Sequence, residues 1–176
     1  MNSNNSTSRF WFVCIMILAA AFTRLIPHPP NFTAVGAIAL FGGAYFSDKK
    51  FAFIVPLLAM LLSDLIIGFH NEMLSVYLSF IIIVGIGIRL SMNIKLKNVV
   101  AASLLSSIIF FVLTNFQMWI QSTLYAKNIT GLIACYVAAI PFFHHTVLGD
   151  LFFVGLLFGL FAAIQVKFPS PVKTKA

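Results

Sequence analysis

The sequence predicts an all-α integral membrane protein with six transmembrane helices and both termini in the cytoplasm. Three observations carry that prediction. Of the 176 residues, 61% are hydrophobic and only 9% are charged, whereas soluble domains carry roughly 25% charged residues. The apolar residues gather in runs that approach or exceed the roughly 17 to 25 residues needed to cross a bilayer as a helix. The basic residues are also divided unevenly between alternate connections, which is the sidedness signal of membrane helices. The net charge of +7 follows from that sidedness and does not argue for a nucleic-acid partner. The bilayer itself is the expected partner, and the cytoplasmic (inner) membrane the expected location.

Residues 1–9 read as a polar cytoplasmic tail and 10–166 as a single transmembrane domain. The first apolar run, Phe10 to Ile26, is interrupted only by Arg24 near its end. Ala19, Ala20 and Ala21 also make it a candidate for a cleaved signal peptide, although apolar sequence continues past them. Pro27, Pro29 and Pro30 then force an extended loop. The second run, Thr33 to Phe46, would be only about 21 Å long as a helix. It is rich in glycine and alanine, which suits an internal helix packed closely on several sides.

Ser47 to Lys50 make a charged turn before the third helix, Phe51 to Gly68, which carries Asp64 near its far end. The fourth helix is expected over Met73 to Ile88, and the fifth over Asn98 to Ile120, beyond a basic loop from Arg89 to Lys97. After the polar connection Gln121 to Asn128, a short apolar stretch at 130–143 is expected as a re-entrant or interfacial helix on the outer side. His144 and His145 separate it from the last span, Thr146 to Val166. Residues 167–176 read as a second polar cytoplasmic tail. With six spans, nine basic residues lie inside (Arg9, Lys49, Lys50, Arg89, Lys95, Lys97, Lys167, Lys173 and Lys175) and two outside, Arg24 and Lys127. A seventh span would move the lysine-bearing tail outside, against the rule. Cys14 and Cys135 lie in apolar runs and read as small buried hydrophobes.

Asp64 is the residue that most needs explaining. A charge deep in hydrocarbon costs about 2.5 to 3.5 kcal/mol on insertion scales, so an ionisable residue in a span marks a candidate site. On the six-span topology the unusual polar residues all fall near the outer face. Asp64, Asn115, Trp119, Asp150 and Arg24 sit at helix ends, with Asn31 and His144 in the loops beside them. Asn115, Trp119 and Ser122 share one helical stripe, as do Thr146 and Asp150. These residues are expected to line an outward-facing pocket for a small-molecule substrate. Each also has a structural reading: Asp64 paired with Arg24, Asp150 as a helix cap, Trp119 as an interface anchor. Asn31-Phe32, Pro56 and Asp64 are echoed by Asn115-Phe116, Pro141 and Asp150, a faint trace of an internal repeat.

Enzymatic signatures are missing. There is no His-Glu-x-x-His, no phosphate-cradling glycine loop and no nucleophile elbow, and Asp150 lacks the Gly-x-Gly-Asp pattern of intramembrane aspartyl proteases. The expectation is a protein that is not an enzyme and needs no cofactor or resident metal. Two alternatives to solute transport are a structural or assembly membrane protein and a metal or ion permease using His70, Glu72, His144 and His145.

Pro29-x-Asn31-Phe32-Thr33, the segment Ala39 to Phe46, Pro56 with Ser63-Asp64, and Thr114-Asn115-Phe116 with Trp119 resemble an uncharacterised family of small bacterial membrane proteins described as transport proteins. That family is similar in turn to the substrate-binding S components of energy-coupling factor (ECF) transporters. The resemblance implies six helices, cytoplasmic termini, a vitamin-sized ligand pocket facing outward and an energy-coupling transmembrane and ATPase module as partner. One departure is visible. The Ala-x-x-x-Ala that docks many S components on their coupling subunit is here Ala19 followed by Thr23.

Overall fold

The computed structural model describes residues 3–167, all of whose regular elements are helical. The helices are α1 (Ser3–Phe22), continued by a 3-10 turn (Thr23–Leu25), then α2 (Val35–Tyr45), α3 (Lys49–Ile67), α4 (Met73–Leu90), α5 (Leu96–Gln121) and α6 (Ile129–Lys167). Five of the six are long and apolar enough to cross a membrane, which fits a multi-pass membrane protein. Their outward faces carry large exposed apolar side chains such as Leu58, Leu65, Ile81, Leu105 and Phe152, as a lipid-facing surface requires.

The exception is α2, whose 11 residues rise about 16 Å, roughly half the hydrocarbon thickness. Every one of its residues is buried, and it packs against all five other helices. Its small residues make that possible. A Cβ on Gly43 would lie 2.9 Å from Gly87 Cα, so α2 and α4 cross backbone to backbone at this pair. Gly42 leaves room for the ring of Pro56, which is buried inside α3. Around this centre lies an apolar core that includes Ile17, Ile38, Phe41, Met60, Phe80, Ile83 and Phe161.

One expectation about the ends of elements is corrected. The stretch 130–143 is not a separate re-entrant or interfacial helix, because Ile129 to Lys167 is one helix of 39 residues. At about 58 Å it is nearly twice the hydrocarbon thickness, so part of it extends beyond the core. The histidine pair interrupts apolarity without interrupting helicity, and Pro141 removes a single donor inside the helix. Ser3 to Arg9, within the expected polar N-terminal tail, form the first turns of α1. Of the expected C-terminal tail, Lys167 ends α6 and 168–176 lie outside the described residues.

Aromatic rings close one end of the bundle. Phe10 lies 5.4 Å from Phe46 and 5.0 Å from Phe51, and Tyr45 lies 4.1 Å from Phe161. At the opposite end the polar residues gather.

Candidate functional site

Three polar arrangements occupy that second end, and each begins with a group that its own helix leaves unsatisfied. The first is centred on Asp64, which is 0% exposed. Arg24, on the 3-10 turn that ends α1, donates from Nη1 to Asp64 Oδ1 at 2.7 Å and to Ser63 Oγ at 2.5 Å. Tyr77 of α4 donates its hydroxyl to Asp64 Oδ2 at 2.8 Å, and Ser63 donates its own hydroxyl to the Met60 carbonyl at 2.8 Å. The carboxylate therefore ties α1, α3 and α4 together as a paired, hydrogen-bonded ion, the form in which buried charge is tolerated.

The second arrangement is centred on Asp150 of α6, 4% exposed. Ala34, the residue that begins α2, has no side chain able to cap it. The Asp150 carboxyl reaches that first turn from another helix and lies close against the Gly36 backbone, where the helix dipole favours an acceptor of this kind. A Cβ on residue 36 would sit 2.9 Å from Asp150 Cγ, so only glycine admits this approach. Ser107 of α5 lies 2.6 Å from Asp150 Oδ2.

Gln117 of α5 does for α4 what Asp150 does for α2. The first turn of α4 has no side-chain cap of its own. Gln117 accepts from the Ser75 N–H at 2.6 Å and donates to the Asn71 carbonyl at 2.6 Å. Neither Gln117 nor Tyr77 was selected from sequence. Gln117 lies in an apolar run as Asp64 does, and that was the signal available for finding it.

Between these supports lies a half-open cleft of about 400 Å³. Its polar lining comes from Asn31, His70, Glu72, Thr114, Asn115 and Thr146, and its apolar lining mainly from Val76, Phe110, Phe111, Met118, Phe142 and Phe143. Asn31 reaches it from a left-handed backbone conformation, φ 63°, which asparagine tolerates better than most residues. Asn115 donates to the Phe111 carbonyl at 2.8 Å within its own helix. His70 and Glu72 stand 3.4 Å apart at the rim, partly exposed.

Of the residues selected from sequence, the structure brings Asn31 and Asn115 into the cleft, together with His70 and Glu72. Asp64 and Arg24 are absent from its lining because they are committed to each other, and Asp150 because it caps α2. Trp119 points to the α5–α6 connection, where its indole donates to the Ala126 carbonyl at 2.9 Å and Lys127 donates to the Trp119 and Ser122 carbonyls. His144 lies against His145 in a tilted contact, 4.0 Å between ring centres, outside the cleft. Among the described residues no group of three or more His, Cys, Asp or Glu side chains is placed to hold a metal ion.

Residues 4–171 match the model of a protein family described as a family of unknown function (DUF6580). No curated protein and no solved structure matches the chain.

Proposed function

We propose that this chain, which belongs to the family of unknown function DUF6580, is a solute-binding membrane transport protein that takes a small polar or vitamin-like molecule into the cleft between α4, α5 and α6. The observation that carries the reading is the cleft itself. Its volume of about 400 Å³ suits a small ligand, and it combines amide, hydroxyl, imidazole and carboxylate groups with phenylalanine faces. Apolar walls with a few convergent polar groups are the usual make-up of a small-molecule site. Asn31, Asn115, Thr114 and Thr146 are the proposed hydrogen-bonding contacts, with His70 and Glu72 at the entrance.

The basic residues support an orientation with this end outside the cytoplasmic membrane. Lys49, Lys50, Arg89, Lys95 and Lys97 stand at the other end of the bundle, and basic residues favour the cytoplasmic side. In that orientation both termini are cytoplasmic and α2 counts as a sixth, shortened crossing. The aromatic packing at the inner end leaves passage to a change of conformation, as in the S components of ECF transporters, driven by an energy-coupling module as partner.

A thermal-shift screen of small polar solutes on detergent-purified protein tests this reading, since a ligand that binds only the folded state raises its stability. A binder is expected whose shift is lost in Asn115→Ala and in the cleft-filling Ala139→Phe, while the unliganded melting temperature of Asn115→Ala stays near the wild-type value. A shift that survives both substitutions, or no stabilising solute in a broad screen, would overturn it.

A further inference from the structure

Asp64 has a cation and Asp150 has none. Among the described residues, Asp150 takes part in no ion pair. The elements packed around it offer no positive charge. α2 presents the Gly36 backbone and has no titratable residue before Tyr45 at its far end, while α5 presents Ser107 and Ser103. The nearest titratable residues of α6, His145 and His144, lie more than a helical turn away, and Arg24 is held by Asp64. A buried carboxylate without a counter-charge is a very costly group, and taking up a proton is the ordinary way to avoid it.

The hydrogen-bond geometry leads to the same answer by a separate route. Ser107 Oγ lies 2.6 Å from Asp150 Oδ2 and 3.2 Å from the Ser103 carbonyl oxygen. A hydroxyl carries one proton and can donate it once. With Asp150 ionised, both neighbours are acceptors and one contact lacks a hydrogen. With a proton on Asp150, the carboxyl donates to Ser107, Ser107 donates to Ser103, and the Gly36 N–H still has a carboxyl oxygen to bond. Around Asp64 no such shortage exists, because Arg24 and Tyr77 each bring a proton to a different oxygen. One turn along the same face of α5 from Ser107, the Ser103 hydroxyl is fully buried and has no hydrogen-bond partner.

We propose that Asp150 is a proton-binding site: its carboxyl holds an exchangeable proton in the core, one helical turn from Thr146 in the wall of the cleft. Loading is a simple transfer. A proton arrives at Oδ2 through the cleft, Ser107 turns its hydroxyl from Asp150 to the Ser103 carbonyl, and release reverses both movements. A metal cation suits the site less well, because the Gly36 N–H and the Ser107 hydroxyl bring hydrogens toward the carboxyl rather than lone pairs. The proton stands whether or not a solute binds. Its use in solute uptake rests on the transport reading.

Infrared spectroscopy of the purified full chain tests the proton without any ligand. The chain has only four Asp and Glu residues, and the carbonyl stretch of a neutral carboxylic acid is well separated from carboxylate bands. A neutral-acid band is expected at neutral pH. It should move on labelling with carboxyl-13C aspartate, shift in deuterated buffer, disappear as the pH is raised, and be missing from Asp150→Asn. Should that variant fail to fold, Ser107→Ala serves instead: with one hydrogen bond removed, the band should move to higher frequency. No neutral-acid band at neutral pH, or a band indifferent to both substitutions, overturns the proposal. Because solute is absent throughout, failure here is distinct from failure of the thermal-shift screen.

Discussion

The two buried aspartates, Asp64 of α3 and Asp150 of α6, are held in opposite ways. Asp64 accepts from two neighbouring elements, a guanidinium at the end of α1 and a tyrosine hydroxyl of α4, and works as a permanent ionic joint. Asp150 faces a backbone amide and a serine, and works as a helix cap that needs no charge. The difference teaches that a carboxyl in a span is not by itself a binding group. What surrounds it decides whether it locks helices, caps one or exchanges a proton, and here neither aspartate lines the cleft.

The sharpest way to break this comparison is to remove one partner at a time. Arg24→Ala strands the Asp64 carboxylate, and Asp64→Asn strands Arg24. Each should lose about 3–5 kcal/mol, read as a large fall in the midpoint of unfolding in a mild detergent. The double variant Arg24→Met/Asp64→Leu should recover much of that loss. Equal damage in single and double variants would show that the pair acts through something other than its charge.

Gly36→Ala comes next. Its methyl group would press into the Asp150 carboxyl, and overpacking of this kind costs about 1–3 kcal/mol. A wild-type melting temperature in Gly36→Ala would remove the cap from α2. Truncating Gln117 to Ala frees the Ser75 N–H and the Asn71 carbonyl, for a loss of about 1–3 kcal/mol. That substitution asks whether capping from a neighbouring helix is general in this fold or peculiar to Asp150.

Tyr77→Phe removes a single hydrogen bond to an ion that keeps its guanidinium, and about 1.5–3 kcal/mol is expected. Asp150→Asn should have the smallest effect, under about 1 kcal/mol, because a neutral amide can take the place of a neutral acid with little change of shape or charge. A loss as large as that of Asp64→Asn would place the two aspartates in one class and end the contrast.

Much of the fold was legible in the apolar runs. The boundaries expected for α3, α4 and α5 lie within a few residues of those observed, because the connections between them hold charged or turn-forming residues such as Asp48, Lys49 and Asn71 that break the hydropathy signal. The signal failed at His144 and His145, which are polar and still helical. The candidate site was legible in part. Asn31 and Asn115 stood out as amides among apolar residues and line the cleft, whereas Arg24, Asp64, Trp119 and Asp150 stood out for the same reason and turned inward to neighbouring helices or loops.

By itself the sequence determined that the protein is helical with runs long and apolar enough to span a membrane, that one helix is short and closely packed, and that polar groups collect at one end. Those properties depend on composition, periodicity and depth along a single helix, all of which are local. Only the tertiary structure decided which polar groups satisfy one another. Arg24 and Asp64 are forty residues apart in the chain, and Asp150 reaches Gly36 from the opposite half of the molecule. In hydrocarbon no water is at hand to satisfy a buried donor or acceptor, so the pairing of helices, rather than the residue types, determines which groups are spent on structure and which remain for a ligand.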